Sequence, residues 1–116
     1  MPNLIVAVIQ DPDLANDVMQ SWTRAGVRGA TLLHSAGMEK LRRAGLLRED
    51  LPLMPSLAAL ESLREVSNAT VFAVVSEQVD IDAVVAATEE VTGKLDDPHT
   101  GILFVMPVLR VVGGQV

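Results

Sequence analysis

The stretch Thr92-Gly93-Lys94-Leu95-Asp96-Asp97-Pro98-His99-Thr100-Gly101-Ile102-Leu103-Phe104-Val105-Met106-Pro107-Val108-Leu109-Arg110-Val111-Val112 holds three kinds of local order in 21 residues. A helical pattern ends at Gly93, a polar loop follows, and a strongly apolar strand begins at Ile102. The stretch therefore closes a strand-helix-strand unit. Backbone N–H groups of a glycine-bounded loop in that position receive anions or polar ligands, and Lys94 adds a positive charge. Gly93, Lys94, His99, Thr100 and Gly101 are the candidate ligand-binding residues of this loop. Pro107 lacks a ladder donor, so the last strand, which resumes through Val112, is expected at a sheet edge or with a bulge.

Working back from the loop, Asp80 caps a helix in which Ile81, Val84, Val85, Thr88 and Val91 mark one face. Residues 69–75 before it are nearly all apolar and read as a strand. The same plan stands at the start of the chain. Residues 4–9 are six apolar residues in a row, the pattern of a strand buried on both faces. Asp11 and Pro12 open a helix over residues 12–25, Leu14, Val18 and Trp22 share its inner face, and Gly26 stops it. Residues 29–35 form a second, weaker strand.

Between the halves lies an insertion of about 29 residues, 38–66. It lacks β-branched runs, carries Pro52 and Pro55, and suggests two short helices, the second capped by Ser56 with Leu57, Leu60, Leu63 and Val66 along one side. Glu61 and Arg64 can pair on its exposed side. Segments of this length inside a compact domain tend to carry function.

The order strand, helix, strand, insertion, strand, helix, strand predicts one α+β domain over residues 1–116, a ferredoxin-like βαββαβ fold with a helical insertion between strands 2 and 3. Two helices cover one face of such a sheet. The strands at 4–9, 71–75 and 102–106 lack the polar alternation of a wet second face, so further copies of the chain are expected to cover it. A stable contact of that kind buries about 800 Å² per partner.

Composition narrows the function. The chain has no cysteine, hence no disulfide framework and no thiolate chemistry. Its apolar runs are too short to span a bilayer, which points to a cytoplasmic protein that is not itself a membrane protein. A net charge of −6, with two lysines and seven arginines, argues against nucleic acid as a partner.

Several short matches resemble the P-II family of trimeric signalling proteins. Val27-Arg28-Gly29-Ala30-Thr31 is similar to that family's Ile-Arg-Gly-Leu-Thr, and Gly37 falls at the first glycine of its T-loop. Thr92-Gly93-Lys94-Leu95 and Phe104-Val105-Met106-Pro107-Val108 are similar to its Thr-Gly-Lys-Ile and Phe-Val-Tyr-Pro-Val. The resemblance implies a homotrimer with inter-subunit clefts that bind adenine nucleotides, whose occupancy sets the posture of a T-loop that docks on a client transporter or enzyme. It places Gly29, Thr31 and Gly37 on one wall of the cleft and Gly93 and Lys94 at the start of the other, with residues 38–66 in the T-loop position. The family's Gly-Asp-Gly-Lys is replaced here by the longer Asp96-Asp97-Pro98-His99-Thr100-Gly101. Its two phosphate-binding arginines fall at Gly113 and Gln115. An adenine nucleotide with few phosphates, or a small anion, fits these departures better than ATP, because Asp96 and Asp97 repel a triphosphate. No tyrosine is present for uridylylation.

The same residues admit other chemistries. Asp96, Asp97 and His99 supply oxygen and imidazole donors for a divalent cation, with His34 as a further ligand. On that reading the chain is a metal-binding trimer of the CutA-like kind. A third reading is a structural or interaction module with a degenerate cleft. Catalysis is not expected, because His34 and Ser35 are neighbours on a strand and point to opposite faces. Arg42, Arg43 and Arg48 form a basic group in the insertion, read as a solvated helix face.

Overall fold

A computed structural model describes residues 1–38, 42, 67–114 and 116. The elements are β1 (Asn3–Ile9), a 3-10 turn (Pro12–Leu14), α1 (Ala15–Arg24), β2 (Thr31–Ala36), β3 (Ser67–Val75), α2 (Ile81–Thr92) and β4 (Gly101–Pro107). The expected insertion helices, the Glu61–Arg64 pair, Arg43 and Arg48 lie outside the described residues.

All strand pairs are antiparallel and the strand order is β2-β3-β1-β4, the arrangement of a ferredoxin-like fold. Each βαβ half leaves a one-strand gap that the other half fills. β1 and β3 therefore occupy the centre, and β2 and β4 are the edges. Pro107 ends β4 on that edge, opposite Asn3. The expected continuation through Val112 does not form. Only the Val108 N–H reaches across, to the Pro2 carbonyl at 2.9 Å, and the chain leaves the sheet.

Register divides the side chains into two faces. Ile5 lies between Ala73 and Val105, Ala7 between Val71 and Leu103, and Ile9 between Ala69 and Gly101. This set faces the helices. Ile5, Ala7, Ile9, Ala69, Val71, Ala73 and Val75 are buried there with Val18 and Trp22 of α1 and Val84 of α2. The inner stripe of α1 is as the spacing predicts, with Leu14 only partly buried because it closes the 3-10 turn.

Within the single chain the central strands are buried on the helix face, and the second face of the expected two-sided burial is only partly buried. Burial alternates along β1 and β3, because the two helices cover one side only. On the other side Val6 stands in a row with Phe72 and Phe104, Leu4 with Val74 and Met106, and Val8 with Thr70 and Ile102. Among the described residues this apolar face is the more exposed of the two: Ile102 is 57% exposed, Leu33 52%, Met106 45% and Phe104 40%.

Caps fix where the elements begin. Asp11 Oδ1 accepts the Asp13 N–H at 3.0 Å, and Asp80 Oδ1 accepts those of Asp82 and Ala83 at 3.0 and 3.4 Å. Such caps satisfy donors that a helix start leaves unpaired, each worth about 1 kcal/mol. Gly93, with φ 85°, ends α2 and donates its N–H to the Glu89 carbonyl.

Candidate functional site

The loop between α2 and β4 is held by three hydrogen bonds, two to its surroundings and one within itself. The Leu95 N–H donates to Glu89 Oε2 at 2.9 Å, the Asp97 N–H donates to the Lys94 carbonyl at 3.0 Å, and the Thr100 carbonyl accepts the Gln10 N–H at 3.1 Å. His99 turns the chain with φ 63°, a left-handed conformation uncommon outside glycine. Between these anchors Lys94, Asp96, Asp97 and His99 are exposed. The loop is thus shaped by its own hydrogen bonds and turns its charged side chains outward.

Gly101 does a further job. Its φ is 147°, and a Cβ there would run into the Val8 carbonyl oxygen. Close backbone approach at the first residue of β4 is what demands glycine at this position, opposite Ile9.

The other candidates lie on β2. Gly29 precedes the strand with open space around it, Thr31 begins it and is exposed, and Gly37 follows its end with its Cα hydrogens toward the Asn68 amide. Gly37 and the loop lie at the same end of the sheet, since Ala36 pairs with Ser67, His34 with Ala69, and Ile9 with both Ala69 and Gly101. They are at opposite edges. β2 and β4 stand three interstrand spacings apart, about 14 Å. Within one chain, Gly29, Thr31 and Gly37 do not meet Gly93, Lys94, His99, Thr100 and Gly101.

Among the described residues, no three His, Asp or Glu side chains gather as a metal site would require. Asp96, Asp97 and His99 share the loop without forming such a group, and His34 is on β2 at the other edge, exposed on the helix side of the sheet. A hollow of about 280 Å³ whose lining includes Arg28, Ser76, Glu77 and Gln78 lies at the far end of the sheet from the loop.

Two features were not anticipated. Ser35 donates its hydroxyl to Asn68 Oδ1 and lies 2.8 Å from Thr70 Oγ1, a polar cluster on the largely apolar open face. Asn68 is buried at 3% exposure. An asparagine opening an apolar strand was the available signal. The second is Glu89, whose carboxylate holds the loop. An acid in the last turn of a helix runs against the helix dipole, and that mismatch was legible before any coordinates.

Fold and register define an α+β ferredoxin-like protein with a four-stranded antiparallel sheet. The solved structure of GlnK from B. subtilis, a P-II protein, is similar to it with a TM-score of 0.56 and 20% sequence identity, covering 93% of this chain and 85% of that one. The chain therefore has a P-II-like fold. No protein-family model matches the sequence, and none of the curated proteins does. Among the described residues, no helix is long and apolar enough to cross a membrane.

Proposed function

We propose that the protein is a P-II-like signalling trimer of the cytoplasm, a regulator and not an enzyme. It binds a small ligand in clefts between subunits and acts on a client protein through residues 38–66. The observation that carries this reading is the apolar second face formed by Leu4, Val6, Val8, Leu33, Phe72, Val74, Ile102, Phe104 and Met106, partly or fully exposed among the described residues. Leaving such a face in water forgoes about 25 cal/mol for each Å² of apolar surface. A second and third copy remove that cost.

The separation of the two candidate walls supports the same arrangement. Thr31 and Gly37 on one edge need the Lys94 to Gly101 loop of another copy to complete a pocket. Sister subunits meeting edge to edge bring those walls together, and one chain alone does not. The ligand class that fits is an adenine nucleotide with few phosphates or a small anion. Lys94 supplies one positive charge, and Asp96 and Asp97 stand beside it in sequence. For the ligand to act as a signal it must favour one arrangement of residues 38–66 over another.

Sedimentation equilibrium at micromolar concentration tests the assembly, with a trimer expected and a compact monomer ruling it out. Calorimetric titration with AMP, ADP and ATP tests the ligand class. Heat with AMP or ADP is expected, and no heat with any nucleotide removes the nucleotide version.

A further inference from the structure

The last turn of α2 carries two acids, Glu89 and Glu90, and no base. The carbonyl end of a helix is its negative end, so a carboxylate there needs a compensating donor. Glu89 finds it in the loop. The Leu95 N–H donates to its Oε2 at 2.9 Å in half-buried surroundings, and the Gly93 N–H donates to its backbone carbonyl at 2.9 Å. With Asp97 donating to the Lys94 carbonyl, the N–H groups of residues 93, 95 and 97 are all held by acceptors of the chain itself.

A carboxylate oxygen on a backbone N–H is the same contact that a ligand carboxylate or phosphate makes. We infer that Glu89 is a specificity-determining residue: it occupies the Leu95 N–H as an internal anion and sets how much negative charge a ligand of this loop can carry. The inference rests on the reading above that the loop lines the ligand cleft.

Charge gives the direction. Lys94 is a single cation against Glu89, Glu90, Asp96 and Asp97, so the segment from 89 to 97 is net negative before any ligand arrives. A phosphate approaching the loop meets these carboxylates and must also displace Glu89 to reach the Leu95 N–H. Repulsion grows with each added ligand charge, so the loop favours a monophosphate over a triphosphate.

The test uses the full chain as wild type, Glu89→Gln and Glu89→Ala, each titrated calorimetrically with AMP, ADP and ATP, with amide exchange of Leu95 followed in parallel. The glutamine keeps an acceptor for Leu95 and removes the charge, so it guards against a variant that fails to fold. Both substitutions are expected to raise affinity in the order ATP over ADP over AMP, by about tenfold for ATP. Leu95 exchange is expected to stay slow in Glu89→Gln and to quicken in Glu89→Ala. If the wild type binds these nucleotides and the variants shift all three equally, or weaken them, Glu89 is a structural cap only and the proposed function stands. If neither the wild type nor any variant takes a nucleotide, the nucleotide reading falls and this inference falls with it.

Discussion

Trp22 Nε1 donates a 2.8 Å hydrogen bond to Thr88 Oγ1 across the contact between α1 and α2, and the Thr88 hydroxyl donates in turn to the Val84 carbonyl at 2.8 Å. Both residues are fully buried. The chain's one tryptophan is thereby fixed in place between two helices 66 positions apart in sequence. Replacing Thr88 with valine keeps the shape and removes the acceptor, leaving an indole N–H buried without a partner. Such a group costs about 1 to 3 kcal/mol. Trp22→Ala removes the largest side chain of the core and is expected to cost about 3 to 5 kcal/mol. Urea unfolding followed by circular dichroism checks both, and a Thr88→Val midpoint equal to wild type would show that the bond adds nothing.

Gly101→Ala is expected to destabilise the chain by more than an exposed Gly-to-Ala change, because the new Cβ meets the Val8 carbonyl oxygen and the φ of 147° disfavours any side chain. Strain of this kind costs about 1 to 3 kcal/mol. Gly29→Ala is the control. A methyl at Gly29 meets nothing. A melting temperature lowered by Gly101→Ala and left unchanged by Gly29→Ala is the expected pair of results.

Much of the fold was legible because two signals agreed. Asp11 and Asp80 announced helix starts that the caps confirm, and the twofold strand-helix-strand order predicted the sheet. The boundaries that shifted depend on tertiary contacts. Gly29 and Ala30 read as strand, yet the β2 ladder begins at Thr31, opposite Phe72. The apolar run at 4–9 cannot say which of its faces the helices will cover. Pro107 marked the edge correctly, but the valines after it suggested a continuation for which the sheet offers no ladder partner beyond Pro2. For the site, the resemblance implied that the loop and β2 are separate walls of a cleft, and the strand order puts the two at opposite edges of the sheet. The reason for glycine at 101 was hidden, since it lies in the Val8 carbonyl on another strand.

The Met1 ammonium hydrogen-bonds and pairs with Glu77, which holds that carboxylate below its ordinary value of 4.5. A depressed folded-state value stabilises the fold above the ordinary value, and the contribution is lost as pH falls through the folded one. Glu77 is exposed, so the effect on stability is expected to be small. Carboxyl-detected NMR titration should place Glu77 below the ordinary value of 4.5. Acetylation of the amino terminus should raise it toward that value, and an unchanged titration after acetylation would discount the pairing.

The open face offers the most direct mutational test of assembly. Phe104 lies in the middle of β4, in line with Val6 and Phe72 across three strands, and is 40% exposed in the single chain. An aspartate at this position costs the isolated chain the packing of the covered part of the ring, while its charge still meets water. In a trimer that buries this face, the same aspartate becomes an unpaired buried charge, which interfaces tolerate poorly. Phe104→Asp is therefore expected to give a folded monomer, with dissociation constants raised by more than about a hundredfold, or about 2.7 kcal/mol. Sedimentation and circular dichroism on one sample separate the effects. Loss of assembly with helix and sheet retained assigns the face to subunit contact. An unaltered trimer would place the contact elsewhere and leave Ile102, Phe104 and Met106 as surface for another partner.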